Sequence, residues 1–171
     1  MKSMQIRAAT SQDIPAITEI YARSVVEEFV SFEHKPPSVE EMANRLSTIV
    51  DAGFPYLIAE IDGEVAGYCY ASSYRPRPAY NKTVESTVYV APKFWRQGVA
   101  RRLLDSLMEE CRKREYRQVI AIAACQPDAD ITEVASVQLH LRMGFTESGR
   151  LSGVGFKHNQ WLDVILMQLT L

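Results

Sequence analysis

The stretch from Val84 to Leu104, VESTVYVAPKFWRQGVARRLL, constrains the fold more than any other part of the chain. It reads as an apolar strand, a proline turn, a short basic loop around Gly98, and then a helix. A glycine loop that opens a helix leaves backbone N–H groups without intrahelical acceptors at the positive end of the helix dipole. Such a place is a ready seat for a phosphate or pyrophosphate. Arg96, Arg101 and Arg102 add positive charge around it. The strand before it carries one acid, Glu85, in an otherwise neutral run. An anion cradle beside a lone carboxylate suits a transferase that uses a phosphorylated carrier.

The rest of the composition narrows the class. A chain of 171 residues with 47% hydrophobic content is expected to form a single domain over residues 1–171. A net charge of −2 offers no electrostatic argument for nucleic acid or an anionic membrane. No run approaches the ~20 apolar residues of a membrane span, and the first residues, MKSMQIRAAT, lack the apolar core of a secretory signal. Cys69, Cys111 and Cys125 are odd in number and follow neither CxxC nor metal-ligand spacing. They read as small buried hydrophobes in a reduced, cytoplasmic protein, and no metal is expected.

Periodicity orders the remaining elements. Met4 to Ala9 predicts a strand, and Thr10 or Ser11 caps a helix with Ile14, Ile17, Ile20, Tyr21, Val25 and Phe29 at helical spacing. Lys35-Pro36-Pro37 breaks the chain. Ser38 with Glu41 predicts a capping box for a second helix whose stripe is Met42, Leu46 and Ile49. Tyr56–Ile61 and Glu64–Ser73 predict a hairpin around Asp62-Gly63. After the RPRPAY loop, Arg75 to Tyr80, come a strand over Thr83–Ala91 and a long helix opening at Gln97 or Gly98. Gln118–Cys125 is apolar enough for a strand buried on both faces. A polar loop, a helix over Glu133–Met143, and strands over Phe145–Leu151 and Trp161–Leu169 with a Gly-rich link complete the chain. The order β-α-α-β-β-β-α-β-α-β-β predicts a mixed α/β fold, a twisted sheet of about seven strands flanked by about four helices.

This chain resembles the GNAT-type N-acetyltransferases. The order of elements matches throughout, and RQGVARRLL matches the family's acetyl-CoA loop, with Gly98 and Ala100 in its two small positions. Trp95 stands where Gln or Arg is usual. Within the superfamily, RPRPAY, TVESTVYV (Thr83–Val90), LHLRMGF (Leu139–Phe145) and FKHNQWLDV (Phe156–Val164) resemble the phosphinothricin and methionine-sulfoximine acetyltransferases. Two departures are Phe156, where the subfamily usually has Tyr, and a longer loop, QPDADITEVAS, which sets Glu133 where many members have a cofactor-contacting Asn.

The resemblance implies transfer of an acetyl group from acetyl-CoA to the α-amino group of a small amino acid or analogue, by direct attack in a ternary complex. It assigns Glu85 as general base and His140 as donor of a proton to the leaving thiolate or as a helper in removing the amine's proton, with an interior packing role as the alternative. Val88, Tyr89 and Val90 would bond the pantetheine arm through their backbones. Arg96, Gln97, Gly98, Val99, Ala100 and Arg101 would hold the pyrophosphate, with Glu133 nearby. Arg75, Arg77, Tyr80, Glu85, Thr87 and Phe32 would line the acceptor site, the arginine forks suiting carboxylate or phosphinate. Phe54 is a candidate for that wall alongside Phe32, with core packing the favoured reading of both rings. Lys157, His158 and Trp161 read as turn and packing residues between the last strands. A homodimer and a detoxifying role are further expectations. Rival readings are a same-fold acetyltransferase for an aminoglycoside, polyamine or protein N-terminus, and a non-catalytic acyl-CoA sensor.

Overall fold

The structure is a computed structural model that describes residues 3–171. The strands are β1 (Met4–Ala8), β2 (Tyr56–Ile61), β3 (Glu64–Ser73), β4 (Thr83–Val90), β5 (Gln118–Cys125), β6 (Thr146–Lys157) and β7 (Gln160–Thr170). The helices are α1 (Ile14–Glu27), α2 (Val39–Asp51), α3 (Val99–Lys113) and α4 (Ala135–Arg142). One seven-stranded sheet runs in the order β1-β2-β3-β4-β5-β7-β6. The mixed α/β fold and the predicted element order are both present. Neighbouring strands pair antiparallel except β4 and β5, which pair parallel through the crossover helix α3.

Each face of the sheet buries its own helices. Val99, Leu103, Leu104, Leu107, Met108 and Cys111 of α3 pack on Ala59, Cys69, Val84, Val119 and Ala121. Ile14, Ile17, Ile20, Tyr21 and Val25 of α1, with Met42 of α2, cover Tyr56, Ile58 and Tyr68 on the other face. Each fully buried leucine or isoleucine contributes roughly 1.5–3 kcal/mol. Local signals work as read at several joints. Asp13 accepts the Thr10 N–H at 2.7 Å and takes both Arg7 amines at 2.7 and 2.8 Å, which locks β1 to the start of α1. Ser38 Oγ accepts the Glu41 N–H at 3.1 Å, whereas the Glu41 carboxylate turns to Arg45, so half of the predicted capping box forms.

Several boundaries differ from the sequence reading: a 3-10 turn over Ser11–Asp13 follows Thr10 and α1 begins only at Ile14, and three further differences bear on the site. Helix α1 stops at Glu27, so Phe29 lies beyond it and meets His158 edge-on at 5.6 Å. Helix α4 starts at Ala135, leaving Glu133 exposed in the turn before it. The Gly-rich link is strand: β6 continues to Lys157 with a register slip between Leu151 and Gly155. Asp163 explains that slip, because its carboxylate accepts the Gly153 N–H at 2.8 Å and holds the irregular segment to β7. His158 and Asn159, at φ +50° and +58°, then form a two-residue hairpin turn.

Strands β4 and β5 pair only through Thr83–Ser86 and Gln118–Ala121. Past Ser86 they splay apart, opening a cleft in the sheet along Thr87–Val90.

Candidate active site

Backbone geometry makes the cleft chemically useful. The Ala91 N–H bonds to Ala66 O at 2.9 Å, and β4 pairs with β3 up to Val90 opposite Gly67. In an antiparallel ladder alternate residues turn their peptide groups toward one partner. Tyr89 therefore directs its N–H and C=O at Tyr68 on β3, while Val88 and Val90 direct theirs into the cleft. Of the three predicted arm-binding residues, the ladder leaves the N–H and C=O of Val88 and the N–H of Val90 available and commits the backbone of Tyr89. Trp95, the departure from the usual Gln or Arg, donates its Nε1–H to Val90 O at 2.8 Å and caps the end of β4.

The loop leading to α3 turns on two left-handed residues, Arg96 at φ +60° and Gly98 at φ +80°. Glycine takes that conformation without steric cost, and nothing lies within 4 Å of where a Gly98 Cβ would stand. The first intrahelical bond runs from the Arg102 N–H to Gly98 O at 3.1 Å. The N–H groups of Val99, Ala100 and Arg101 therefore have no helical acceptor. Gln97 donates its amide to Lys93 O at 2.8 Å, buttressing the turn, and the Arg101 side chain leans toward Asp105 at 3.6 Å. Open N–H groups at a helix N-terminus, arginines around them, and free peptide groups along β4 fit a pyrophosphate followed by an amide-bearing arm.

Glu85 lies on the opposite face of β4 from Val84, level with Ser72 on β3 and Ile120 on β5. It is half-buried, and burial pushes its carboxyl above the usual glutamate range. Among the described residues no ion pair or hydrogen bond engages that carboxylate. Thr87, next on the same face, lies against the Tyr70 hydroxyl. Beside them an open cavity of about 410 Å³ is lined by Tyr21, Tyr56, Tyr68, Tyr70, Ser72 and Arg45. Tyr56 and Tyr70 stack at 5.0 Å, and Tyr21 meets Tyr89 edge-on at 5.2 Å. Sequence reading missed this aromatic well. Its signal was tyrosine at 56, 68, 70 and 89, all on one face of adjacent strands.

The Arg75–Tyr80 loop leaves β3 within three residues of Ser72, so it borders the Glu85 end of the cavity. Arg75 lies over Tyr74 and Tyr80 at 5.2 and 5.9 Å, and the two rings meet edge-on at 5.6 Å. Arg75 and Arg77 are exposed and have no carboxylate partner among the described residues. Phe32 follows α1 on a loop across this face, and its ring packs on Gly155. Phe54 does not reach the cavity: it stacks on Tyr116 at 5.8 Å against the α3 cluster.

His140 is buried in α4. Its Nδ1 lies 2.7 Å from Ser136 O, and its ring meets Phe145 edge-on at 4.9 Å. Burial lowers its pKa, so the ring is neutral near pH 7. The carbonyl assigns the ring proton to Nδ1, and the bare Nε2 is an acceptor. Phe145 belongs to the α3-face cluster, so His140 and Glu85 do not share a face. Glu133 donates its N–H to Asp130 O at 2.9 Å in the exposed turn. The three cysteines are buried, with Cys111 pushed up to about 11 by burial, so none is a thiolate at neutral pH. Among the described residues, no group of three or more His, Cys, Asp or Glu converges as for a metal, and no helix is long and apolar enough to cross a membrane.

A splayed parallel strand pair, an open helix N-terminus and a carboxylate at their junction fit a transferase whose donor carries a pyrophosphate and an extended arm. Residues 6–166 match the acetyltransferase (GNAT) domain model, and the chain belongs to that family. It is 45% identical to a phosphinothricin N-acetyltransferase of Alcaligenes faecalis, over 95% of this chain and 80% of that protein. It is 32% identical to an L-methionine sulfoximine/L-methionine sulfone acetyltransferase of Salmonella typhimurium, over 98% and 95% of the two chains. A Sinorhizobium meliloti phosphinothricin acetyltransferase solved in complex with AcCoA superposes with TM-score 0.91 at 38% identity, covering 98% of this chain and 88% of that one. The protein is an acetyl-CoA-dependent N-acetyltransferase.

Proposed function

We propose that this enzyme acetylates the α-amino group of a small amino acid or analogue, with phosphinothricin, methionine sulfoximine and methionine sulfone as acceptors. The observation that carries the reading is Glu85: a half-buried carboxylate raised by burial, with no hydrogen-bond or ion-pair partner among the described residues, level with Ser72 of the cavity wall. The relatives named for these acceptors support it.

Bound acetyl-CoA supplies an activated thioester carbon. Every remaining task falls to the chain. The N–H groups of Val99 to Arg101, with Arg96, Gln97 and Gly98 shaping the turn, hold the pyrophosphate. Val88 and Val90 hold the arm, and Glu133 borders it. Arg75 or Arg77 takes the acceptor's carboxylate, and Tyr80, Thr87 and Phe32 border its side chain. Glu85 removes the ammonium proton, directly or through a water, so that the amine attacks in a ternary complex. A carboxyl raised by burial is a stronger base for that step than an exposed one. His140, neutral with a bare Nε2, acts as an acceptor or as a packing residue. The one-domain chain works in the cytoplasm, where acetylation removes the charged amine of a toxic analogue and so detoxifies it. It is a homodimer, and the exposed Leu151, Val154, Phe156 and Trp161 around edge strand β6 support that reading.

A cationic acceptor is disfavoured, because like charges repel beside Arg75 and Arg77. The test is thiol release from acetyl-CoA with a panel of the three analogues, ordinary amino acids, a polyamine and an aminoglycoside. Turnover confined to small amino acids and their analogues supports the reading, and turnover only with cationic amines overturns it. Glu85→Gln lowers kcat by roughly 10²–10⁴-fold with acetyl-CoA affinity kept. An unchanged response in that variant would favour a sensor.

A further inference from the structure

The segment between α1 and α2 bridges the sheet. Helix α1 lies over β2 and β3, and its Tyr21 reaches Tyr89 of β4. Yet residues 29–32 touch β6 and the turn that follows it, two strands beyond β5. Phe29 meets His158 at 5.6 Å. The Phe32 ring packs so closely on Gly155 that a Cβ there would stand 2.5 Å from its Cε2 and Cζ. Lys157 Nζ donates to Ser31 O at 2.5 Å. The segment thus passes over β5 and β7 on the face that carries Glu85. Among the described residues no helix covers that stretch: Ile122 of β5, two residues from the partner of Glu85, is 44% exposed, so β5 is not buried on both faces as its apolar run predicts.

The strap is held at both ends. On the α1–α2 side, Ser31 Oγ and Tyr21 OH lie 2.9 Å apart, Tyr21 donates to Glu33 at 2.8 Å, and Arg45 pairs with Glu33 at 2.6 Å. On the hairpin side Lys157 is 2% exposed, and its one hydrogen bond among the described residues goes to the Ser31 carbonyl. Glu28 and Glu33 lie near enough to balance the Lys157 charge, but neither accepts a hydrogen bond from it, so its directional contact fixes the Ser31 backbone. Phe32 sits between these two anchors.

We propose that the β6–β7 hairpin sets the acceptor wall, with Lys157 as a positioning residue that holds Ser31 and so aims Phe32, and with Gly155 as the floor under the Phe32 ring. This rests on the proposed acceptor site, since Phe32 matters to the reaction only if the acceptor lies beneath the strap. Acceptor selectivity is then controlled from the far edge of the sheet, by residues that never touch the acceptor or acetyl-CoA.

Two variants approach Phe32 independently. Lys157→Met removes the anchor at constant length, and Gly155→Ala pushes the ring directly. Each lowers kcat/KM for the acceptor by roughly ten- to a hundredfold, the effect of a small misplacement, with KM for acetyl-CoA unchanged. Hydrogen exchange of residues 28–35 speeds up in Lys157→Met. Where Lys157→Met does not fold, Gly155→Ala decides. Unchanged acceptor kinetics in folded variants overturn the proposal, and so does an equal loss for both substrates. If the wild type acetylates no member of the panel, the acceptor reading falls. The exchange measurement then decides the strap alone, with unchanged protection of residues 28–35 overturning it.

Discussion

Gly67→Ala tests the link between sheet packing and cofactor binding. Gly67 faces Val90 across the β3–β4 ladder, and an added Cβ would stand 2.6 Å from Tyr89 O and 3.1 Å from Val90 Cα. Ordinary contact begins near 3.4 Å, so the Tyr89 carbonyl must recede by about 0.8 Å. The two nearest obstructing atoms belong to the β4 backbone, so moving the third, the Val90 Cγ2 methyl at 3.1 Å, cannot absorb this. The overpacking cost is roughly 1–3 kcal/mol, which for a chain of this length lowers Tm by about 2–12 °C. The same displacement re-aims the Val88 and Val90 peptide groups at the cleft edge. Acetyl-CoA affinity should fall by roughly tenfold, the equivalent of losing about one good hydrogen bond. Thermal unfolding and isothermal titration with acetyl-CoA or CoA measure both effects. Unchanged stability would refute the packing argument. Lost stability with full CoA affinity would refute the assignment of Val88 and Val90.

Other perturbations follow from the same geometry. Because burial raises the Glu85 pKa, kcat/KM should fall as pH drops through a value above the ordinary glutamate range. In Glu85→Gln, pH–rate measurements should show that limb gone, and a limb that persists unchanged assigns it to another group. The same sign makes ionised Glu85 unfavourable to folding once pH exceeds its ordinary range, so Glu85→Gln should be no less stable than wild type at pH 7 in urea titrations. Gly98→Ala places a side chain at φ +80° and should cost roughly 1–2 kcal/mol with weakened CoA binding, whereas unchanged binding would remove the turn from the pyrophosphate site. Asp13 is held below the usual aspartate range, first by Arg7. Its stabilisation is complete above that range and is lost as pH falls through and below it, so Asp13→Asn should flatten the acid-unfolding curve there.

Periodicity and capping carried most of the fold, because Ile14 to Val25 and Val99 to Met108 repeat every three to four residues and the strands alternate every two. The Gly98 turn and the lone Glu85 were legible for the same reason: each is a local departure from its pattern. Ser152 to Lys157 misled because a run with Gly153 and Gly155 has weak strand propensity, and only the Asp163 bond and the pairing with β7 make it strand. Phe54 packs in the core, the reading its sequence position favoured over a place in the acceptor wall. The tyrosine well was written in residues 56, 68, 70 and 89, but only the register sets them side by side.

The chain's own sequence determined its element order, the Ser38 cap of α2, the open N–H groups at the start of α3, and a carboxylate on one side of β4, since all of these depend on neighbours within a few residues. Tertiary structure alone decided that β4 and β5 part after Ser86, that Val88 and Val90 rather than Tyr89 face the gap, that His140 lies on the other face from Glu85, and that Lys157 reaches Ser31 across 126 residues of chain. Those outcomes depend on strand register and long-range packing, where contact energies are shared among residues far apart in sequence and no local pattern records the partner.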